Sequence, residues 1–140
     1  MTYYRNPGLD AEGYDPHQPF GYADLPRRQF RVVTLIFVLN VLPTAPERLE
    51  VLRCAGAFLA PAGLLIVATR STSALRDAAR HGRWRSWNDG FVSHEGRSTF
   101  QHGMDDQEIQ ELGASVGLRP AEALPRVAGA SLVAFTNDTP

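Results

Sequence analysis

Residues 30–70, FRVVTLIFVLNVLPTAPERLEVLRCAGAFLAPAGLLIVATR, change hydrophobic period twice, and that change decides the fold. Residues 32–39 are an unbroken run of Val, Ile, Leu and Phe with one Thr, the composition of a strand covered on both faces; a half-exposed strand would alternate. Thr44 and Glu47 stand three apart with Pro46 between them, so the hydroxyl can accept from an orphan N–H while the carboxylate reaches back, and a helix begins there. Leu49, Leu52, Ala55, Gly56 and Leu59 recur at helical steps as one apolar face, with Arg48, Glu50 and Arg53 directed away from it. Pro61-Ala62-Gly63 stops the helix, and residues 64–68 are again continuously apolar. Two buried parallel strands joined by a crossover helix make a βαβ unit, and the fold class is α/β.

The wording of this stretch resembles the fourth strand, fourth helix and fifth strand of class I S-adenosylmethionine-dependent methyltransferases. In that family the second turn is usually Pro-Gly-Gly. Ala62 departs from it, which is tolerable where the backbone needs no positive φ. The phrase FVLNVLP, with DGFVSHEGRSTFQHGM further on, resembles in particular a branch of methyltransferases associated with DNA phosphorothioation systems. The resemblance covers the chain from about Gly13 onward. It implies a Rossmann-like sheet, S-adenosylmethionine as cofactor, and a methyl acceptor it does not specify.

Around that core the other segments are assigned in turn. In Ala11-Glu12-Gly13-Tyr14-Asp15-Pro16 the resemblance makes Asp15 the acid at the end of the second strand that accepts from the cofactor ribose; on local sequence Asp-Pro equally starts a turn. Residues 17–29 read as a loop, from which Phe20 and Asp24 could approach an adenine. Ser71-Thr72-Ser73 supplies possible caps for a short helix over residues 74–80 that ends before Gly82. Residues 84–104 are the least regular part. A helix capped at Asp105 and Glu108 runs through Val116 with Ile109 and Leu112 inward and Gly117 closing it. Residues 121–127 and 131–136 read as a terminal antiparallel hairpin, with Pro125 marking the first as an edge.

Composition bounds the rest. With 140 residues, 44% hydrophobic and 21% charged, the expectation is one soluble domain over residues 1–140. A net charge of −1 without runs of Lys or Arg gives no electrostatic footprint for phosphate backbones, although nucleic acid stays open as a partner. Cys54 is the single cysteine, so no disulfide within the chain is possible, and a reducing cytoplasm is expected. The longest apolar run falls short of the ~20 residues a membrane span needs.

No two of the 12 glycines are two apart, so the G-x-G loop that brings a backbone close to a nucleotide cofactor is missing from this sequence. The expectation is therefore an incomplete methyltransferase domain, lacking the first strand and its glycine loop, that binds S-adenosylmethionine weakly and is weak or inactive alone. The alternative is a non-catalytic relic or interaction module. Either the second strand moves in beside the apolar strand at residues 32–39 and closes the gap, or that strand is left with an open edge, which favours a homo-oligomer. Candidate site residues are Asp15 and Asn40 for the cofactor and Arg70, Trp87, Phe91 and Phe100 for the acceptor. Asn40 alternatively caps the turn before Pro43, Arg70 alternatively forms a structural ion pair, and the aromatics alternatively pack on the sheet. Asp89, His94, Glu95 and His102 match no metal-ligand spacing, and no metal is expected.

Overall fold

The computed structural model describes residues 8–17, 19, 24–93 and 99–137. Phe20, His94 and Glu95 lie outside the described residues. Strand β1 (Phe30–Ile36) leads through a 3-10 turn (Leu39–Val41) to helix α1 (Ala45–Ala57), and strand β2 (Leu59–Arg70) returns parallel to β1 with Ile36 opposite Ala68. Helix α2 (Thr72–His81) follows, then three short strands, β3 (Arg85–Trp87), β4 (Gly90–Val92) and β5 (Phe100–Gln101). Helix α3 (Asp106–Ser115) leads to β6 (Arg119–Pro120) and β7 (Ala130–Thr136). The main sheet has the order β1-β2-β7-β6, with β7 antiparallel to both its neighbours, and β3-β4-β5 form a separate antiparallel sheet.

Local chemistry explains most boundaries. Thr44 caps α1 through the reciprocal box with Glu47, and Pro46 sits in its first turn. Ser71 caps α2 and Asp105 caps α3, each accepting a backbone N–H three residues on. Gly117, at φ +80, ends α3 in the left-handed conformation that favours glycine. Leu35, Leu52, Leu65, Val67, Ile109 and Phe135 form the centre of the core, where α1 and α3 pack on one face of the sheet.

Four expectations are corrected. β1 is covered on one face only among the described residues: Leu35 is buried, whereas Val32 and Ile36 are 56% and 45% exposed. Its continuous apolar run therefore reflects a sheet face left open, not two covered faces. Arg48 is buried rather than turned to solvent, because it stands one helical turn before Leu52 on the inward stripe. Residues 121–127 are not a strand: β6 stops at Pro120, which cannot donate to a ladder, and β7 alone carries the pairing onward. The region read as irregular contains the small sheet, whose strands of two or three residues are too short to show a period.

The helix ends at Ala57, and Pro61-Ala62-Gly63 forms an irregularity inside β2, between the Phe30–Leu59 pair and the regular register from Val32–Leu64 onward. Ala62 there adopts φ +59, so the backbone does require the positive φ. An alanine in that region costs roughly 1–2 kcal/mol relative to a residue without Cβ. Ala62→Gly is expected to raise the stability of the chain by about 1 kcal/mol, read as an increased urea midpoint at unchanged slope; an unchanged midpoint would show that the turn relaxes elsewhere.

Candidate functional site

The carboxyl ends of β1 and β2 emerge side by side, where open α/β sheets place their ligands. β1 breaks at Phe37, whose φ is +55 and whose N–H donates to the Ala68 carbonyl at 2.8 Å. A bulky residue there is a conformational outlier held by its surroundings. Leu39 is fully buried and anchors the 3-10 turn, so the next side chain, Asn40, enters at only 2% exposure. Its amide Nδ2 donates to Gln101 Oε1 at 3.2 Å, and its carbonyl accepts from the His102 N–H at 2.7 Å. Asn40 Oδ1 is buried and has no hydrogen-bond partner among the described residues.

Across from it, Arg70 ends β2. Its main-chain carbonyl accepts from Met104 N–H, and the next N–H, of Ser71, donates to Gly129, so the strand end is fixed while the guanidinium is left over. Among the described residues no carboxylate pairs with that guanidinium. Between them lies a cleft of about 440 Å³, lined by Phe37, Asn40, Val41, Arg70, Gln101 and residues 127–130. A second hollow, about 460 Å³, continues along the same edge past Asp105, Asp106 and residues 124–127.

One wall of the site is held by charge. Arg48 donates to the Leu42 carbonyl at 2.8 Å and pairs with Asp89, which lies in the β3–β4 turn. His102 directs Nδ1 to the Asp89 carbonyl at 2.7 Å and Nε2 to Glu108 at 2.6 Å. Both ring nitrogens thus face acceptors, the arrangement an imidazolium satisfies with two donors. The hydrogen bond to Glu108 raises the His102 pKa above its ordinary value, against desolvation and the nearby Arg48 charge, with the Asp89 carbonyl adding to the rise. The network ties the turn before α1 to the small sheet and to α3, and so sets β5 over Asn40.

Of the residues singled out in the sequence, the structure brings Asn40 and Arg70 together. Asp15 is in no strand; it accepts from the His17 N–H at 2.8 Å in a turn. Its neighbour Tyr14 stacks edge-on against Phe58 at 6.3 Å, and Phe58 accepts from Phe30 at the start of β1, which puts Asp15 by the opposite end of the sheet from the cleft. Asp24 is exposed. Trp87 and Phe100 meet edge to face at 5.6 Å in the small sheet, and Phe91 lies opposite Gln101 in it. These three aromatics do not line the cleft, but the strand that carries Phe100 delivers Gln101 to it. Cys54 is a free, half-buried thiol. No cluster of metal-ligating side chains occurs among the described residues. Nor is any helix among them long and apolar enough to cross a membrane.

Set against solved structures, the chain is similar to an S-adenosylmethionine-dependent methyltransferase from Clostridium acetobutylicum (9% identity, TM-score 0.61, 80% of this chain and 60% of that one). It is similar also to the CcbJ methyltransferase from Streptomyces caelestis (15% identity, TM-score 0.57, 81% and 59%). A third is the N-methyltransferase NodS from Bradyrhizobium japonicum in complex with S-adenosyl-L-homocysteine (15% identity, TM-score 0.51, 81% and 49%). At these identities the likeness is one of fold, and the fold is the Rossmann-like class I methyltransferase fold. The chain spans about 60% of the length of the first two. No family model matches the chain, and no curated protein does.

The His102 geometry gives a pH dependence of definite sign. Protonation is easier in the folded state, so the contact stabilises fully below the ordinary histidine value of about 6.5 and is lost as pH rises through the raised folded value. Urea midpoints of the wild type are expected to fall from pH 6 toward pH 8 more steeply than those of His102→Gln; parallel profiles would remove His102 as the cause.

Proposed function

We propose that this chain forms the acceptor-side half of an S-adenosylmethionine-dependent methyltransferase domain and binds the cofactor weakly by itself. The observation that carries the reading is the cleft at the carboxyl ends of β1 and β2, where buried Asn40 converges with Arg70, whose guanidinium has no carboxylate partner among the described residues, on a sheet of this fold. The fit to the cofactor is partial. Asn40 and Arg70 bring polar groups to it, but among the described residues no carboxylate lines the cleft, and no glycine pair of the G-x-G kind exists in the sequence. When bound, the cofactor supplies an electrophilic methyl group; the residues here hold and orient the acceptor, and positioning accounts for much of the rate in such a transfer. The wording of residues 37–43 and 89–104 supports a place in the branch associated with DNA phosphorothioation.

Titration of the ¹⁵N-labelled chain with S-adenosylhomocysteine tests this. The expected result is shifts at the amides of Asn40, Val41, Arg70 and Gln101 with a dissociation constant on the order of millimolar, ~4 kcal/mol. Micromolar binding would refute the half-site reading, and no shift at these amides at tens of millimolar would refute the cofactor.

A second reading, an interaction module, is favoured by β1 itself. Among the described residues no strand pairs with its outer edge, and Val32 and Ile36 are exposed beside it. Such an edge templates pairing with another chain. Light scattering across a dilution series is expected to show concentration-dependent oligomers; a folded monomer at high concentration would dismiss the module.

A further inference from the structure

We infer that the outer face of the small sheet, with the arginines that border it, binds single-stranded nucleic acid, Trp87 stacking on a base while Arg80, Arg83 and Arg85 meet phosphates. The inference is independent of the methyltransferase reading, because this face is turned away from the cleft.

The register of the sheet places the side chains. Arg85 pairs with Val92 and Val92 with Phe100, so these three stand on one rung and share a face. Trp87, two residues past Arg85, stands on the same face, and its ring meets that of Phe100 edge to face at 5.6 Å. Ser86, Phe91 and Gln101 form the other face, and Gln101 carries that face to Asn40 and the cleft. Gly90 lies opposite Trp87, and a Cβ there would fall 2.7 Å from the Phe100 ring. The bare backbone at Gly90 therefore lets Phe100 lie over the sheet and reach Trp87. The ring contact holds Trp87 in one orientation while the residue stays 47% exposed. A large aromatic surface kept in water and fixed in place is what a nucleobase stacks on, whatever its sequence.

Charge names the rest of the partner. Residues 76–87 contain Arg76, Arg80, Arg83 and Arg85 against one carboxylate, Asp77, in a chain whose net charge is −1, so the overall balance hides a local excess of cations. All four arginines are exposed. Arg76 and Arg80 are one turn apart on α2. The N–H groups of Arg83 and Trp84 donate to the Arg80 and Ala79 carbonyls, so the chain doubles back on the helix end and β3 starts beside it. Arg80 has a 3.8 Å contact with Asp77 at an exposed site, and among the described residues no carboxylate pairs with Arg76, Arg83 or Arg85. Asp89, the acid of the β3–β4 turn, is engaged by Arg48. Guanidinium forks match phosphate oxygens, and cations beside a stacking ring are the two elements of a single-strand site. An acidic peptide would use the arginines and leave the ring idle. An anionic membrane would call for an apolar group at a protruding tip, whereas Trp87 is laid against Phe100 in the sheet.

The test uses the full chain and a labelled oligothymidylate of about a dozen nucleotides, followed by fluorescence anisotropy at ~50 mM salt. The matching duplex, poly-glutamate and phosphatidylserine vesicles are offered as competitors. The oligothymidylate is expected to bind tighter than each competitor. Trp87→Leu is expected to weaken it by roughly tenfold, with Trp87→Phe restoring most of the loss. Arg83→Gln and Arg85→Gln are each expected to flatten the slope of log affinity against log salt by about 0.7. Arg53→Gln, the same change of charge at an arginine already paired with Glu50, is expected to leave that slope unchanged. Circular dichroism confirms that each variant folds. Wild-type affinity in a folded Trp87→Leu variant overturns the proposal, as does an unchanged salt slope in both arginine variants, or tighter binding of any competitor.

Discussion

The parallel register of β1 on β2 is the constraint on which the rest of the molecule depends. With Ile36 level with Ala68, the two strands reach the same edge of the sheet together, and whatever follows each must share that edge. Phe37, Asn40 and Arg70 converge for this reason and not because anything in their local sequences attracts them. The crossover helix can make this pairing only if its cap and its inward stripe are both in phase, which Thr44 and Leu52 secure. β7 then locks the other side of β2 in antiparallel register, placing Ala130 beside Arg70 and bringing residues 127–130 to the cleft.

A buried cation does the complementary work at the other wall. Arg48 occupies a position on α1 where an aliphatic side chain would have packed without needing any partner. Burying a charge there obliges the structure to supply acceptors, since an unmatched one is strongly unfavourable. The Leu42 carbonyl and Asp89 meet that demand, and Asp89 can do so only if the β3–β4 turn lies against the start of α1. The position of the small sheet is thus specified by a polar requirement more than by hydrophobic burial, which suits an element whose strands are too short to hold a core of their own.

What could be read in the sequence divides along the same line. The βαβ unit, three helix caps and the α/β class were legible, because a long apolar run, a Thr-x-x-Glu box and Asp or Ser caps act within a few residues. Asn40 and Arg70 were legible as strand-end positions. The burial of Arg48 was legible in principle: it is four residues before Leu52, but its charge argued against placing it on the stripe. Phe37 was hidden inside the apolar run, since nothing local shows that the strand breaks there with a positive φ. Gln101 and residues 127–130 reach the cleft only through pairings with distant segments, so no pattern around them could have marked them. The cleft was half visible: its strand-borne side chains followed from topology, whereas its walls depended on contacts made across the chain.

Gly113 shows how a core contact reaches the polar site. A Cβ placed there would fall 2.2 Å from the Phe135 ring, so the bare helix backbone of α3 sits directly on a side chain of β7. Only that one flank of the helix can be turned to the sheet, and the rotational phase of α3 is indexed like a keyed shaft. Glu108, five residues earlier and hence about 140° away around the axis, is then presented at a single azimuth, the one that meets His102. A residue with no side chain and no charge thereby sets the bearing of an ion pair it never touches.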